Sequence, residues 1–348
     1  MKNVTPSFFD SFAAVQLRRR FLAIAGTSAA VWGLGLGRAS AQPASSSAAR
    51  PLPPLRIGYQ KSAVNLVILK QQGVLEKRFP NTKITWAEFP AGPQLLEALS
   101  VGSLEFGLTG DSPPVFAQAA GKDLVYVAAE PPKPDSSAIL VLGDSPIKTL
   151  PDLRGQKIAL QKGSSAHYLL VRAVEKAGLN WREIQPIYLA PADARAAFER
   201  KSVDAWAIWD PFYAAIELDI KPRVLVTGRS LSSNNSFYLA SRSFASQQGP
   251  VLAALLEELT RADAFAQARR KDAIQLIADF SGLDAGIVSR FIQRRPPSPV
   301  NPLNLATVAD QQQVADAFFK LGLIPKPVRV ADIVWQADAA RLALRQQN

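Results

Sequence analysis

Cysteine is absent from the sequence, and histidine occurs once, as His167. Without a thiol there is no cysteine nucleophile, no thiolate-held metal, no disulfide framework and no cysteine for a lipid anchor. A single imidazole excludes a multi-histidine metal site, so neither a metal nor another cofactor is expected. Dense Lys/Arg runs with interleaved aromatics are missing, which leaves nucleic-acid binding unsupported. Phosphate-loop and dinucleotide glycine signatures are missing too, and nothing places the lone histidine in a serine triad. These absences point away from an enzyme and towards binding. The 348 residues are 48% hydrophobic and 20% charged, enough for a core that needs neither metal nor disulfide.

Near the N-terminus, Leu17-Arg18-Arg19-Arg20-Phe21-Leu22 precedes an apolar run from Ala23 to Gly37. That run is too short to span a bilayer, and it holds Gly26, Gly33, Gly35 and Gly37. With Ala39-Ser40-Ala41 behind it, the segment reads as a signal peptide over residues 1–41, cleaved after Ala41. The arginine pair before Phe-Leu resembles twin-arginine signals, and the expected location is the periplasm. Residues 1–41 carry five basic side chains and one acidic one, so +7 of the total +11 stays with the mature chain. A basic exported protein suits an anionic ligand or an anionic envelope surface. Residues 42–54, rich in Pro, Ala and Ser, form a flexible leader.

Beyond the leader the chain repeats itself at an offset of about 100 residues. Arg56-Ile57-Gly58-Tyr59-Gln60-Lys61 matches Lys157-Ile158-Ala159-Leu160-Gln161-Lys162. Each is a short apolar strand that leads into a helical segment. Lys83–Phe89 and Glu183–Leu189 are alternating, strand-like stretches, each followed by Pro-Ala and a helix. Ser103-Leu104-Glu105-Phe106 matches Ser202-Val203-Asp204-Ala205, and the following strands end at Asp111 and Asp210. Val125–Ala128 and Val224–Val226 close each half with another strand. Strands alternating with helices predict parallel α/β sheets, here two lobes in tandem. One doubly wound sheet is the alternative for the same pattern. Val251–Phe280 and Ala306–Lys320 show helical spacing about a proline-rich linker, Arg295–Pro302, and should complete the first lobe.

In open α/β sheets a ligand lies beyond the carboxyl ends of the strands. Those ends carry Gln60-Lys61-Ser62, Pro90–Gln94, Thr109-Gly110-Asp111 and Lys162-Gly163-Ser164-Ser165. Helix starts there offer unpaired N–H groups to an anion. Gly163 permits close approach, and Ser164 and Ser165 either donate to a ligand or cap the helix. Trp206 and Trp209 are three apart on a strand and face opposite sides, with Trp209 the better placed to line a cleft. Asp111 and Asp210 read as helix caps, because a bare carboxylate repels an anion. His167 reads as a neutral core or surface residue with ligand contact as the alternative. Lys61 and Lys162 are charge partners for an anion or ordinary surface lysines.

Six stretches carry a family resemblance. Ile57–Lys61, Glu88–Leu99, Thr109–Asp111, Gln161–Ser165, Pro191–Phe198 and Val203–Pro211 look like those of aliphatic sulfonate-binding proteins of ABC importers. The likeness covers nearly all of residues 55–348, including Arg294-Arg295-Pro296-Pro297. It implies a two-lobed, hinged periplasmic-binding-protein fold of type II with C-terminal helices. Residues 55–145 and 239–348 would form lobe I, and 146–238 lobe II, with crossings near Gly143–Lys148 and Phe237–Ala240. It implies a sulfonate held by Gln60, Gly92, Gln94, Thr109, Gly110, Ser164 and Ser165, with Trp209 beside the tail. Lys61, Asp111, Gly163, His167 and Asp210 are further candidates. The implied partners are a membrane permease with its ATPase, and a monomer is expected. His167 and the apolar Ser62-Ala63-Val64 depart from the family pattern. Taurine, a sulfate ester or nitrate is the alternative ligand. Thiamine-pyrimidine synthases share the fold but use histidine and a cysteine-rich motif, which this chain lacks.

Overall fold

The computed structural model describes residues 53–336. The expected signal peptide, the leader up to residue 52 and the last twelve residues lie outside that range. The first half runs β1 (Leu55–Tyr59), α1 (Val64–Gln72), α2 (Val74–Arg78), β2 (Ile84–Glu88), α3 (Gly92–Ser100), β3 (Phe106–Gly110), α4 (Ser112–Ala119) and β4 (Leu124–Glu130). The second runs β5 (Ser137–Val141), β6 (Lys157–Leu160), α5 (Ser165–Lys176), β7 (Gln185–Tyr188), α6 (Pro191–Glu199), β8 (Ala205–Trp209), α7 (Phe212–Asp219) and β9 (Arg223–Thr227). After β10 (Ser236–Ser241) come α8 (Arg242–Gln247), α9 (Gly249–Ala268), α10 (Arg270–Ser281), α11 (Ala285–Arg294) and α12 (Leu305–Lys320).

The duplication survives at the level of single hydrogen bonds. β1 pairs in parallel with β3 at Ile57↔Phe106, and β6 with β8 at Ile158↔Ala205. In both halves the acidic residue before the third strand closes onto the strand start. Arg56 N–H donates to the Glu105 carboxylate at 2.6 Å, and Lys157 N–H to Asp204 at 2.7 Å. The matching Ser-Leu-Glu and Ser-Val-Asp stretches thus have one job, satisfying a backbone donor at the start of an inner strand.

Two sheets result, with strand orders β2-β1-β3-β10-β4 and β7-β6-β8-β5-β9. This is the two-lobed binding-protein architecture, but the sheets are mixed where parallel ones were expected. β10 lies antiparallel between β3 and β4, and β5 antiparallel between β8 and β9. β5 and β10 are the two strands that follow a passage of the chain from one sheet to the other. The chain passes between sheets over residues 131–136 and 228–235. Both passages precede the expected 143–148 and 237–240. β5 moves out of the expected 55–145 because Ser137–Leu140 pair with Trp209–Trp206, and the start of β10 moves out of 146–238. Those bounds came from the family resemblance; the pairing of β5 with β8 and of β10 with β3 sets the passages earlier in the chain.

Apolar clusters cover both faces of each sheet. On one face of the first sheet α1 is buried from Val64 to Leu69, under Leu252, Leu255 and Leu259 of α9 and Ile277 of α10. On the other face Val314, Ala315 and Phe318 of α12 join Leu95 and Leu99 of α3. The outer strand β4 is buried throughout, and its edge is covered by bridges from Ala129 to Asn301 and from Tyr126 to Val334. That cover removes an edge open to another chain. The carboxyl ends of β1, β3, β6 and β8 are left facing one space.

Candidate ligand-binding cleft

Gln60 at the end of β1, Gly92 at the start of α3 and Gly110 at the end of β3 line one wall of a chamber of about 60 Å³. Ser164 and Ser165 at the start of α5, with Trp209 at the end of β8 and Asp210 just after it, line the other. Against the ~10–15 Å³ that one water needs, this holds a compact headgroup and no tail. Gln60, Ser62 and Trp209 also border a second space of about 280 Å³, walled by Phe89, Pro90, Pro191, Pro211, Phe212 and Leu283. The chamber, lined by many polar side chains, thus adjoins an apolar corridor at Trp209.

Helix starts dominate the chamber. Ser164 has extended backbone (φ −91°, ψ 170°) ahead of α5. Its hydroxyl donates to Gln161 O at 2.8 Å, so the serine tightens the turn. The N–H groups of Ser165 and Ala166 have no backbone acceptor among the described residues, as at any helix start. Gly92 opens α3, where a Cβ would stand 2.6 Å from Pro113 Cγ and 3.1 Å from Thr109 Cβ. Gly110 and Ser165 approach across the two walls: a Cβ on Gly110 would lie 1.9 Å from Ser165 Oγ. Each helix start favours a neighbouring anion by ~0.3–1 kcal/mol when exposed, and up to ~2 when partly buried.

A buried ion network forms the floor. Lys133, Ser136, Asn234 and Ser236 reach the chamber from the passages between sheets, and Phe291 and Arg295 from the end of α11. Lys133 Nζ lies 2.9 Å from Glu130, which also accepts the Tyr238 hydroxyl at 2.8 Å. Arg295 pairs with Asp263 at 2.9 Å, reaches Glu130 at 3.5 Å and donates to Asn65 Oδ1 at 3.0 Å. Burial alone would raise the Glu130 carboxyl, but the charges of Lys133 and Arg295 outweigh it and hold it low. Burial pushes Lys133 down against the pull of Glu130. Two cations offset by two carboxylates make the floor electrically balanced, with N–H groups to spare.

A family model described as NMT1/THI5 like matches residues 88–273. A protein of Escherichia coli (strain K12) named for binding aliphatic sulfonates is 52% identical over 282 residues, 81% of this chain and 88% of the relative. The chain belongs to the aliphatic sulfonate-binding protein family. Two solved structures agree. The alkanesulfonate-binding protein SsuA from Xanthomonas axonopodis pv. citri, bound to MOPS, is 51% identical with a TM-score of 0.79, over 83% of this chain and 99% of that one. The periplasmic aliphatic sulphonate binding protein SsuA from Escherichia coli is 52% identical with a TM-score of 0.76, over 81% and 92%.

Of the site residues the family resemblance implied, the structure brings Gln60, Gly92, Gly110, Ser164, Ser165 and Trp209 to one chamber. Gln60 uses one amide hydrogen on Leu108 O at 3.2 Å. Trp206 faces away and is fully buried, the opposite-side arrangement its spacing predicts. Gln94 is exposed on α3, and Thr109 is buried with its hydroxyl donated to Gly110 O. Neither side chain lines the chamber. Lys61 donates to Ser281 O at 2.8 Å and borders the corridor. Lys162 lies over the Tyr188 ring. Asp210 caps α7, accepting Ala214 N–H at 3.0 Å. Asp111 does not cap α4: its carboxylate accepts the Ser112 hydroxyl instead, since its own backbone is already helical. Burial raises its carboxyl.

Gly163 holds a left-handed φ of +72° against the Phe116 ring, and His167 lies behind it. His167 Nδ1 accepts Gly163 N–H at 3.2 Å, and its ring is fully buried among Phe116, Trp181, Tyr188 and Phe318. It supports the Gly-Ser-Ser turn from within and does not touch the chamber. Burial, helped by the Lys162 charge, pushes it down to about 3. The unfolded chain takes up this proton near pH 6.5 and the fold does not, so stability falls as pH drops from about 6.5 towards about 3. The slope is at most ~1.4 kcal/mol per pH unit. Urea melts at pH 7 and 4.5 should show a smaller acid loss for His167→Asn than for the wild type. Equal losses would remove His167 as the cause.

Lys133, Arg295, Asn234, Ser136 and Ser236 were not found from sequence. Only Arg295 had a signal, in the family-like Arg-Arg-Pro-Pro.

Proposed function

We propose that this chain is the solute-binding component of an ABC importer, and that it captures aliphatic sulfonates between its two sheets and hands them to a membrane permease. One observation carries the reading: a charge-balanced chamber at opposed helix starts adjoins an apolar corridor at Trp209. A sulfonate is a monoanion with three acceptor oxygens and an apolar tail, and each part has its counterpart. N–H groups meet the oxygens, and the corridor removes the tail from water at roughly 25 cal/mol per Å². Contacts from both walls favour the closed arrangement of the lobes about residues 131–136 and 228–235. No step of chemistry is assigned to the site. The protein is read as exported and cleaved after Ala41.

The test uses protein purified from the periplasmic fraction, whose mature chain should begin at Gln42. Calorimetry of ligand-stripped protein should show tight binding of hexanesulfonate, weaker binding of taurine, and little response to sulfate or nitrate. Best binding of nitrate or sulfate would keep the fold and overturn the ligand class.

A further inference from the structure

The passages between the sheets also wall a second cavity, of about 320 Å³, together with α5 at Tyr168 and Arg172 and α12 at Asp310 and Val314. It shares no lining residue with the ligand chamber. Successive residues of each passage alternate between the two spaces. Lys133 lines the chamber and Pro132 and Pro134 the cavity; Asn234 and Ser236 line the chamber and Asn235 the cavity. Asp111, which also lines the cavity, directly follows Gly110 of the chamber wall.

Two side chains more than nine-tenths buried bring polar groups to this cavity with nothing to bind. Tyr168 is 6% exposed and Asn235 5%. Neither the Tyr168 hydroxyl nor the Asn235 amide makes a hydrogen bond among the described residues. Neither is sealed off from solvent, so both open onto the cavity that their residues line. Buried polar groups are as a rule hydrogen-bonded, so these two call for a partner from outside the chain.

The surrounding charge sets the kind of partner. The Asp111 carboxylate accepts the Ser112 hydroxyl at 2.9 Å and that of Asp310 the Ser233 hydroxyl at 3.2 Å, and neither meets a basic side chain among the described residues. Arg172 is already committed to Glu175 and to Leu231 O at 3.3 Å. Two unpaired acids against one paired arginine make the cavity a place for a cation. Burial raises the Asp111 carboxyl, and a cation alongside favours its ionised form. Leu231, Val314 and the two prolines add apolar wall, and the volume exceeds the roughly 150 Å³ in which an apolar cavity takes up a benzene ring.

We propose that this cavity is a second binding site, for a small organic ammonium ion whose N–H groups meet Asp111, Asp310 and the free oxygens of Tyr168 and Asn235 while its apolar body lies against Leu231 and Val314. The site touches both passages and one helix packed on each sheet. Its occupant therefore favours the arrangement in which Gly110 approaches Ser165, and tightens the chamber's hold on its own ligand. Binding of the cation stands apart from the sulfonate reading of the chamber; the coupling rests on it.

The probe is cyclohexylammonium, with cyclohexanol as the neutral body of similar shape. Calorimetry on the mature protein should show saturable one-to-one binding of the ammonium ion and much weaker binding of the alcohol. With cyclohexylammonium saturating, the Kd for hexanesulfonate should fall by ~5-fold or more, and the reverse titration should show the same factor. Asp310→Asn keeps an acceptor for Ser233 and removes the charge. It should weaken the ammonium ion by ~10-fold or more and leave hexanesulfonate binding without the amine unchanged. Tyr168→Phe should weaken it too, and serves as the second variant if Asp310→Asn melts abnormally. No binding of the ammonium ion, equal binding of cyclohexanol, or full affinity in both variants overturns the site. Displacement of the ammonium ion by hexanesulfonate places it in the chamber and overturns the site as well. Binding of both with unchanged Kd values keeps the site and overturns the coupling. If hexanesulfonate does not bind at all, the reading of the chamber falls, while the ammonium site is decided by its own titration.

Discussion

Gly110→Ala should weaken hexanesulfonate binding by about 1–3 kcal/mol, roughly 5- to 150-fold in Kd, with little change in the stability of either half. The reason is a contact between lobes and not within one. Gly110 ends β3 of the first sheet, and Ser165 opens α5 beside the second. A methyl on Gly110 would stand 1.9 Å from Ser165 Oγ and 3.3 Å from Ser165 Cβ. The methyl and the Ser165 hydroxyl cannot occupy the same space, so the hydroxyl must give up its place or the walls must part by a few tenths of an ångström. Donors set for one headgroup then miss it. Ser165→Ala in the same chain removes the hydroxyl and should recover much of the loss, so a double-mutant cycle will show coupling. Additive losses, with Gly110→Ala as damaging in the Ser165→Ala background as in the wild type, would show that this approach does not limit closure.

Arg295→Met should lower stability by about 3–5 kcal/mol, because it leaves two buried carboxylates short of their cation. Arg295 and Asp263 are each 6% exposed at the side chain, and Glu130 4%. Asp263 Oδ1 would keep Ser298 N–H at 3.0 Å and a long contact from Gln267 Nε2 at 3.4 Å, with no cation, and Glu130 would rely on Lys133, Tyr238 and Asn65. At ~2–4 °C per kcal/mol the melting temperature should fall by roughly 6–20 °C. Adding Asp263→Asn should restore part of it, since the penalty lies in the unpaired charge and not in the lost packing. A melting temperature within a degree or two of wild type for Arg295→Met would mean that solvent reaches the network and screens it. Binding should weaken as well, through the loss of a chamber-lining donor.

The two halves, their strands and the helix starts were legible in the sequence because each depends on local signals. Alternation marks β2 and β7, and Gly-Pro or Gly-Ser-Ser marks α3 and α5. Strand-end position marked the segments that hold Gln60, Gly92, Gly110, Ser164, Ser165 and Trp209, the family resemblance singled out the individual residues, and the structure brings these six to one chamber. Gln94 and Thr109 neighbour those positions in sequence but point elsewhere. Adjacency along a helix or strand does not preserve direction.

By itself, then, the sequence determined an α/β duplication without a thiol, the core alternation, and the turns that present backbone N–H groups. These follow from residue type and spacing within a few positions. Only the tertiary structure decided the places of β5 and β10 in the two sheets, the approach of Gly110 to Ser165, and the floor of Lys133, Glu130, Asp263 and Arg295. Arg295 and Asn65 are hydrogen-bonded although 230 positions separate them. Such contacts leave no periodic trace, because which buried charges meet is fixed by the packing of distant elements and not by the local conformation of either.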